Sequence, residues 1–354
     1  MKATILASAF AVTLTLSATN PVLSGFNHLT RPADARMLAT GNSLLRSDLN
    51  SGSLFVSSVQ RWSDQRTVLG VNFVPTMVAG QPNSMMGTGY AATGVGRGVL
   101  SGAFRYYQAG SVIARDNEGN ELGTITPYVL DLAVNYSLPL TDWLTMGAGM
   151  RYVYSDLFQG QENSAKISAV NVDLAWIMAL SQKSDLLVQL SELGPKMNSE
   201  NGASGFAPTR FRVAYMNSID VAGRALNWTV QVEKVLAPTA PIVDANGEIV
   251  SGRAIPTSFL APIFTSWVDA PGGVAEEFSE IRPSLGLSYA LSEVTAVRAG
   301  YSYQPIDKGS LNFIGIGLSY AKDKFRLDAG YALGMSALTN PMNNHVQIGL
   351  GYAL

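Results

Sequence analysis

One stretch decides the fold of this chain: His345-Val346-Gln347-Ile348-Gly349-Leu350-Gly351-Tyr352-Ala353-Leu354. Large apolar side chains stand at every second position, and small or polar residues stand between them. In an extended chain this spacing places all the large apolar groups on one face. The same alternation runs through 128–137, 284–291 and 314–320. The pattern therefore predicts β-strands with one apolar face and one face of small or polar residues.

The length of these runs and the low charge of the chain indicate a membrane barrel. The runs last about ten residues or more, which is the length that crosses a bilayer at a tilt. A soluble β-sandwich also alternates, but its strands are usually about 5–6 residues long and its outer face is well charged. Only 14% of the 354 residues are charged and 47% are hydrophobic. We therefore predict an all-β fold, a transmembrane antiparallel β-barrel.

Turn residues divide the barrel into about fourteen strands, an even number as in single-chain bacterial barrels. The predicted strands are 66–78, 87–95, 98–110, 126–138, 141–156, 165–181, 183–194, 207–219, 223–236, 279–291, 293–304, 310–322, 324–335 and 344–354. With the C-terminus in the periplasm, the short turns all fall on the periplasmic side. The longer segments 110–126, 156–165, 194–208, 237–278 and 335–344 then face the outside.

The first 65 residues lack the barrel pattern. Lys2, an apolar run over 3–16 and the small residues that follow predict a signal peptide over 1–24, cleaved after Ala18 or Ser24. Residues 25–65 are interpreted as an N-terminal plug that enters the lumen from the periplasmic side, or as a disordered periplasmic lead. The barrel domain is 66–354.

The inward face predicted by the strand parity carries charges of both signs. Because opposite charges fall on neighbouring strands, a network of ion pairs that fills the interior is favoured over an ion-selective pore. The predicted polar network consists of Arg105, Asp131, Arg151, Asp173, Arg210, Arg212, Glu233, Arg282, Arg298, Arg326 and Asp328.

The residues offer little for catalysis or cofactor binding. The chain has no cysteine and two histidines, His28 and His345, so a catalytic site built from several histidines is not possible. His345 with a serine and an acid on neighbouring strands would be needed for a lipase site. We predict no enzyme activity, no cofactor and no metal. The net charge of −2 disfavours a nucleic-acid partner.

The loop 237–278 is the most distinctive connection. A loop of roughly forty residues is far longer than a hairpin turn, and loops of this length are generally functional or disordered. Its apolar side chains favour a partner surface, although a loop that merely packs over the mouth is the alternative. The candidate partner-binding residues are Phe259, Leu260, Ile263, Phe264, Trp267 and Asp269.

Two segments around this loop carry a family resemblance. They are Val232-Glu233-Lys234-Val235-Leu236-Ala237-Pro238-Thr239-Ala240-Pro241 and Trp267-Val268-Asp269-Ala270-Pro271-Gly272-Gly273-Val274-Ala275-Glu276-Glu277-Phe278-Ser279-Glu280-Ile281. The chain resembles the PorV family of the type IX secretion system. The resemblance implies a FadL-like barrel in the outer membrane, in contact with its lipid, with an N-terminal plug.

The resemblance also implies a role in protein transport to the cell surface. It implies that the barrel binds the C-terminal signal domain of secreted cargo proteins at the translocon pore protein and shuttles the cargo to the surface attachment (sortase) complex. The alternative is a FadL-like transporter of hydrophobic small molecules. Its expected mark is an apolar pocket between plug and wall, for which Leu44, Leu45, Leu54 and Phe55 are candidates.

Overall fold

The chain folds into a closed barrel of fourteen antiparallel strands, as the computed structural model shows. The structure describes residues 22–24, 27–50, 67–78, 81–115, 121–156, 166–198, 204–305, 308–309, 311–335, 340 and 342–354. The predicted fold class is confirmed. Each of the fourteen predicted strands overlaps an observed one, and the largest difference is at the second strand, which begins at Gln81.

The strands and helices have the following bounds. The strands are β1 (Thr67–Val78), β2 (Gln81–Val95), β3 (Gly98–Gln108), β4 (Val112–Arg115), β5 (Glu121–Ile125), β6 (Tyr128–Pro139), β7 (Leu144–Asp156), β8 (Lys166–Ala179), β9 (Ser184–Leu193), β10 (Met197–Asn198), β11 (Ser204–Gly205), β12 (Arg210–Val221), β13 (Arg224–Val235), β14 (Ile242–Val243), β15 (Ile249–Ser251), β16 (Ile281–Ala290), β17 (Thr295–Ser302), β18 (Phe313–Lys322), β19 (Phe325–Gly334) and β20 (His345–Ala353). The α-helices are α1 (Ala35–Ala39), α2 (Pro262–Thr265) and α3 (Val274–Ser279), and 3₁₀ turns span Asn27–Thr30 and Arg46–Asn50.

Six of these strands form hairpins in the loops, and the rest build the wall. The pairs β4–β5, β10–β11 and β14–β15 are separate two-stranded sheets. The other fourteen strands pair with their neighbours in chain order, and β1 pairs with β20 from Val68–Ala353 to Phe73–Ile348. This last pairing closes the sheet and leaves no free edge in the wall.

The wall is apolar outside and polar inside, the reverse of a soluble protein. Val134 and Met150 point outward and are 60% and 62% exposed, whereas the neighbouring inward residues Asp131 and Arg151 are buried. Such an exterior is stable only against lipid, because water would leave a large apolar surface exposed. The period of two in the sequence is therefore a lipid–lumen alternation.

The connections at the two ends of the barrel differ in length. At one end the turns are short, for example Asp220–Gly223 and Leu291–Val294, and at the other end the connection between β13 and β16 is the longest. Short turns lie in the periplasm in bacterial outer-membrane barrels, so we infer that the long connection is extracellular. The outward tyrosines Tyr136 and Tyr152 lie in the C-terminal halves of two antiparallel strands and hence toward opposite ends of the barrel, as interfacial aromatics do.

Residues 27–50, here called the N-terminal segment, lie inside the barrel. Helix α1 begins after Asp34, whose carboxylate caps it by accepting a hydrogen bond from the Met37 amide (2.9 Å), and packs against β17 to β20. Two inward glycines permit the close approach. A Cβ at Gly300 would lie 2.0 Å from the Thr40 carbonyl carbon, and one at Gly315 would lie 2.1 Å from the Leu38 carbonyl oxygen.

The ends of this segment are only partly described. Val22 and Ser24 form single bridges to Thr239 and Phe206, next to the extracellular ends of β13 and β12. Residues 1–21 of the predicted signal peptide, and 25–26 and 51–65 of the predicted plug region, lie outside the described residues. Among the helices described, none is long and apolar enough to span a bilayer.

Candidate functional site

The inner wall carries a first cluster of ion pairs on strands β3 to β12. Arg151 lies at its centre and donates hydrogen bonds to Asp131 (2.8 Å) and Asp173 (2.7 Å). Arg105 lies 3.8 Å from the same Asp131 carboxylate, and its Nη1 donates to the Leu29 carbonyl of the N-terminal segment. All of these side chains are at most 1% exposed. Each buried charge thus has a partner of opposite sign.

Glu192 extends this cluster to β12 and was not among the predicted residues. Its carboxylate lies 3.0 Å from Arg210 and 3.9 Å from Arg151. The residue lies at an irregularity in the pairing of β8 and β9 and has a φ of 59°, in the left-handed region. Strict alternation fails at such a bulge, so the parity argument could not assign Glu192 to the lumen.

A second cluster joins β12, β13 and β16. Arg212, Glu233 and Arg282 are directly opposite one another in the register of the three strands. Arg282 donates to Glu233 at 3.0 Å, and Arg212 donates to the other oxygen of the same carboxylate. The shared register places all three side chains on the inner face, as the parity predicted.

A third cluster joins the N-terminal segment to the wall. Arg298 on β17 forms a two-pronged ion pair with Asp48, with both N–O distances at 3.0 Å. Arg36 lies 3.7 Å from Asp48 and 3.6 Å from Asp328 on β19, and Arg326 lies among these charges. The structure thus distributes the eleven predicted residues over three clusters. The third cluster also includes Arg36 and Asp48 of the N-terminal segment.

The extracellular loop between β13 and β16 is held against the outer side of the barrel by a buried lysine. Lys234 points outward, opposite in face to Glu233, and is 3% exposed because the loop covers it. Its ammonium group donates to Glu280 at 2.6 Å and to Glu277 at 3.0 Å. The Trp267 ring lies 5.8 Å from the same ammonium group. These contacts hold the C-terminal part of the loop against the outer side of the wall.

Asp269 is a structural residue of this loop. Its side chain is 3% exposed, and its carboxylate accepts a weak hydrogen bond from the Thr239 amide (3.4 Å). Burial, followed by the charge of Glu277, raises the pKa of Asp269 to about 6. The predicted role of Asp269 in contacting a partner does not fit this geometry, because the loop itself covers the carboxylate.

The other five predicted partner residues occupy different surroundings. Phe259, Leu260 and Phe264 are exposed, with Phe264 at 77%, and Ile263 is half-buried. Trp267 packs edge-on against Phe211 of β12, with ring centroids 5.9 Å apart, and donates from its indole nitrogen to the Ile263 carbonyl (3.0 Å). Trp267 is also 40% exposed, but its ring packs against the wall of the barrel.

His345 is the candidate for acid–base chemistry that the sequence offered. His345 is buried at the start of β20, opposite Ala332 of β19. Among the described residues, no group of three or more histidine, cysteine, aspartate or glutamate side chains could hold a metal ion.

A closed wall with a lipid-facing exterior and a charged, filled interior defines a bacterial outer-membrane β-barrel. A family model described as type IX secretion system protein PorV matches residues 29–242, more than half of the chain. The chain belongs to this family, a family of outer-membrane secretion barrels. No curated protein sequence matches the chain.

Solved structures of other outer-membrane barrels share the fold. The toluene transporter TodX of Pseudomonas putida is 12% identical, with a TM-score of 0.52, over 92% of this chain and 98% of that one. The toluene transporter TbuX of Ralstonia pickettii is 10% identical, with a TM-score of 0.51, over 93% and 98%. At these identities the likeness shows the architecture alone, the FadL-like barrel that the sequence predicted.

Proposed function

We propose that this barrel binds the C-terminal signal domain of secreted cargo at the type IX translocon and shuttles it to the surface attachment complex. Membership of the PorV family is the observation that carries the proposal. The extracellular position of the long loop supports it, because cargo leaving a translocon is met on that side of the membrane.

The surface proposed for cargo contact is the exposed apolar set on the extracellular loop. Phe259, Leu260 and Phe264 are 39%, 45% and 77% exposed. The loop that carries them is fixed at its base by the ion pairs of Lys234 with Glu277 and Glu280. Exposed aromatic and aliphatic side chains on a preorganised support are typical binding anchors, because little conformational entropy is lost when a partner docks.

The test removes these anchors without touching the base of the loop. In a chain with Phe259→Ser, Leu260→Ser and Phe264→Ser, we expect the barrel to fold and the recovery of a purified cargo signal domain in pull-downs to fall at least tenfold. The matched control is Ile219→Ser with Val221→Ser, which are similarly exposed, at 42% and 40%, at the periplasmic end. Undiminished cargo recovery by the loop variant contradicts the proposal.

The second candidate function, transport of hydrophobic small molecules, is favoured by the fold shared with the toluene transporters. The contacts of the N-terminal segment speak against it. Leu44 and Leu49 pack in one buried cluster with wall residues that include Ile177, Leu187 and Met216, so side chains fill this apolar region. Leu45 is also buried, and Leu54 and Phe55 lie outside the described residues. Loss of fatty-acid uptake with normal secretion in a deletion strain would favour this candidate.

A further inference from the structure

A groove of about 270 Å³ lies between the extracellular loop and the outer side of the barrel. Its lining is almost entirely apolar apart from one lysine and one glutamate. The main lining residues are Lys234, Trp267, Val268, Val274, Phe278 and Ile281. Neither the ion pairs of the lumen nor the exposed set of Phe259, Leu260 and Phe264 takes part in it.

The strand register places the floor of this groove on the lipid side of the wall. Phe211, Lys234 and Ile281 are cross-strand neighbours on β12, β13 and β16. The adjacent row, Arg212, Glu233 and Arg282, forms an ion-pair cluster inside the lumen. Successive residues of a strand point to opposite faces, so the row of Lys234 points toward lipid. The floor therefore lies at the extracellular boundary of the bilayer.

The groove is continuous with the surface that the bilayer already covers. Below Phe211 and Ile281, the same outer face carries Val232 and Leu285, which are 41% and 43% exposed. These residues belong to the apolar band that meets the acyl chains. A lipid chain lying along this band reaches the groove without crossing any polar surface.

The only cation in the lining is neutralised. The ammonium group of Lys234 is paired with Glu277 and Glu280. The surface that faces the groove here is the alkyl stem of Lys234 and the ring of Trp267. A lone lysine on a lipid-facing wall is unfavourable, by an amount that grows with depth in the membrane. Glu277 lies in α3 and Glu280 directly follows this helix. The end of α3 therefore supplies the two carboxylates that neutralise Lys234.

The rim of the groove is exposed and apolar. Val268, Val274 and Phe278 are 55%, 73% and 69% exposed. Apolar side chains on short helices at the edge of a bilayer are typical of segments that lie in the interface, with tryptophan at the headgroup level. Because the groove is continuous with the lipid-facing band of the wall, a lipid is favoured over a protein as its occupant.

We propose that the groove binds the acyl chain of an outer-leaflet lipid, so that α3 and Trp267 anchor the extracellular loop in the membrane. The acyl chain packs between Trp267 and Phe278 over the stem of Lys234. This site is independent of the cargo surface proposed above. It gives the loop a second, lipid-dependent attachment beside its ion pairs.

The experiment uses the full-length barrel in nanodiscs of phosphatidylcholine that carries a photoreactive diazirine on one acyl chain. After irradiation, mass spectrometry locates the labelled residues. We expect label on 267–278 at a yield several-fold above that on the strand residues Val232 and Leu285. Val274→Asp with Phe278→Asp should abolish the excess label on Trp267 and Val268 and leave the strand label unchanged.

The matched control is Val250→Asp, which is 67% exposed on the β14–β15 hairpin of the same loop and outside the groove lining. It should leave the groove label intact. Label on 267–278 that is absent, or no stronger than on the strands, overturns the proposal and points to a protein occupant. Cargo pull-down with the Val274→Asp and Phe278→Asp variant should remain normal, which separates this site from the cargo surface.

Discussion

Arg151 shows how a single buried cation supports the lumen. Its guanidinium group donates to Asp131 and Asp173 on the two neighbouring strands and is 1% exposed. Removing one partner of a buried ion pair leaves uncompensated charge, which typically costs about 3–5 kcal/mol. We expect Arg151→Ala to lower the free energy of unfolding of the barrel by about 3 kcal/mol, near the lower limit because Arg105 still faces Asp131. Urea-induced unfolding in lipid vesicles measures this.

The control for Arg151 is an arginine outside the lumen. Arg97 lies exposed in the turn between β2 and β3, where it donates a long hydrogen bond of 3.4 Å to the Pro139 carbonyl. Arg97→Ala should change the stability by no more than about 0.5 kcal/mol. Equal effects of the two substitutions would show that the buried network contributes nothing beyond surface charge.

The residues that sequence reasoning could assign are those on regular strands. Alternation alone places Arg212, Glu233 and Arg282 on one face, and the structure brings them together. It could not assign Glu192, because a bulge shifts the register there. Asp48 reaches Arg298 across 250 positions of sequence, and no local pattern encodes such a contact.

At the scale of elements, the fold of the extracellular loop was not predictable from its composition. Its apolar residues indicated a surface for a partner or a lid, but period-two and helical patterns are both weak over 237–278. The direction of folding depends on Lys234, an outward lysine at the end of β13 that needs the carboxylates of α3 and the residue after it. Local secondary-structure propensity contains no information about long-range ion pairs of this kind.

The same loop should be pH-dependent through Asp269. Folding raises its pKa from 3.8 to about 6, through burial and the nearby Glu277 and Glu280, with Lys234 acting in the opposite sense. The folded loop therefore binds the proton more tightly than the unfolded loop. The contribution of Asp269 to the stability of the loop is therefore most favourable below about pH 4 and becomes less favourable as the pH rises toward about 6.

Asp269→Asn tests this dependence, because the amide still accepts from Thr239 and carries no charge. We expect the variant loop to be cleaved more slowly by protease than the natural loop at pH 7 and at the same rate near pH 4. Taking the ratio of the two proteins at each pH removes the pH dependence of the protease and of other groups. If the ratio of the two cleavage rates does not change with pH, Asp269 is not the cause of the pH dependence.

At the scale of the whole molecule, the barrel is closed by hydrogen bonds between β1 and β20 and filled by its own chain. The N-terminal segment contacts the wall through α1, through the apolar cluster around Leu44, and through the Asp48–Arg298 pair. The first and third contacts lie on β17 to β20, and the apolar cluster lies on β8, β9 and β12, so the segment touches two separate parts of the wall. We therefore propose that residues 27–50 act as the plug and keep the lumen closed to ions.

Electrical recording in planar bilayers tests this plug. The full-length barrel should show no steady conductance, and a chain lacking 27–50 should show open-channel conductance. The deletion also removes Arg36 from beside Asp328 and Asp48 from beside Arg298, so the current should also depend on the sign of the ion. Retained heat-modifiable migration on gels checks that the shortened barrel is folded. A folded, shortened barrel that does not conduct would mean that the wall side chains alone close the lumen.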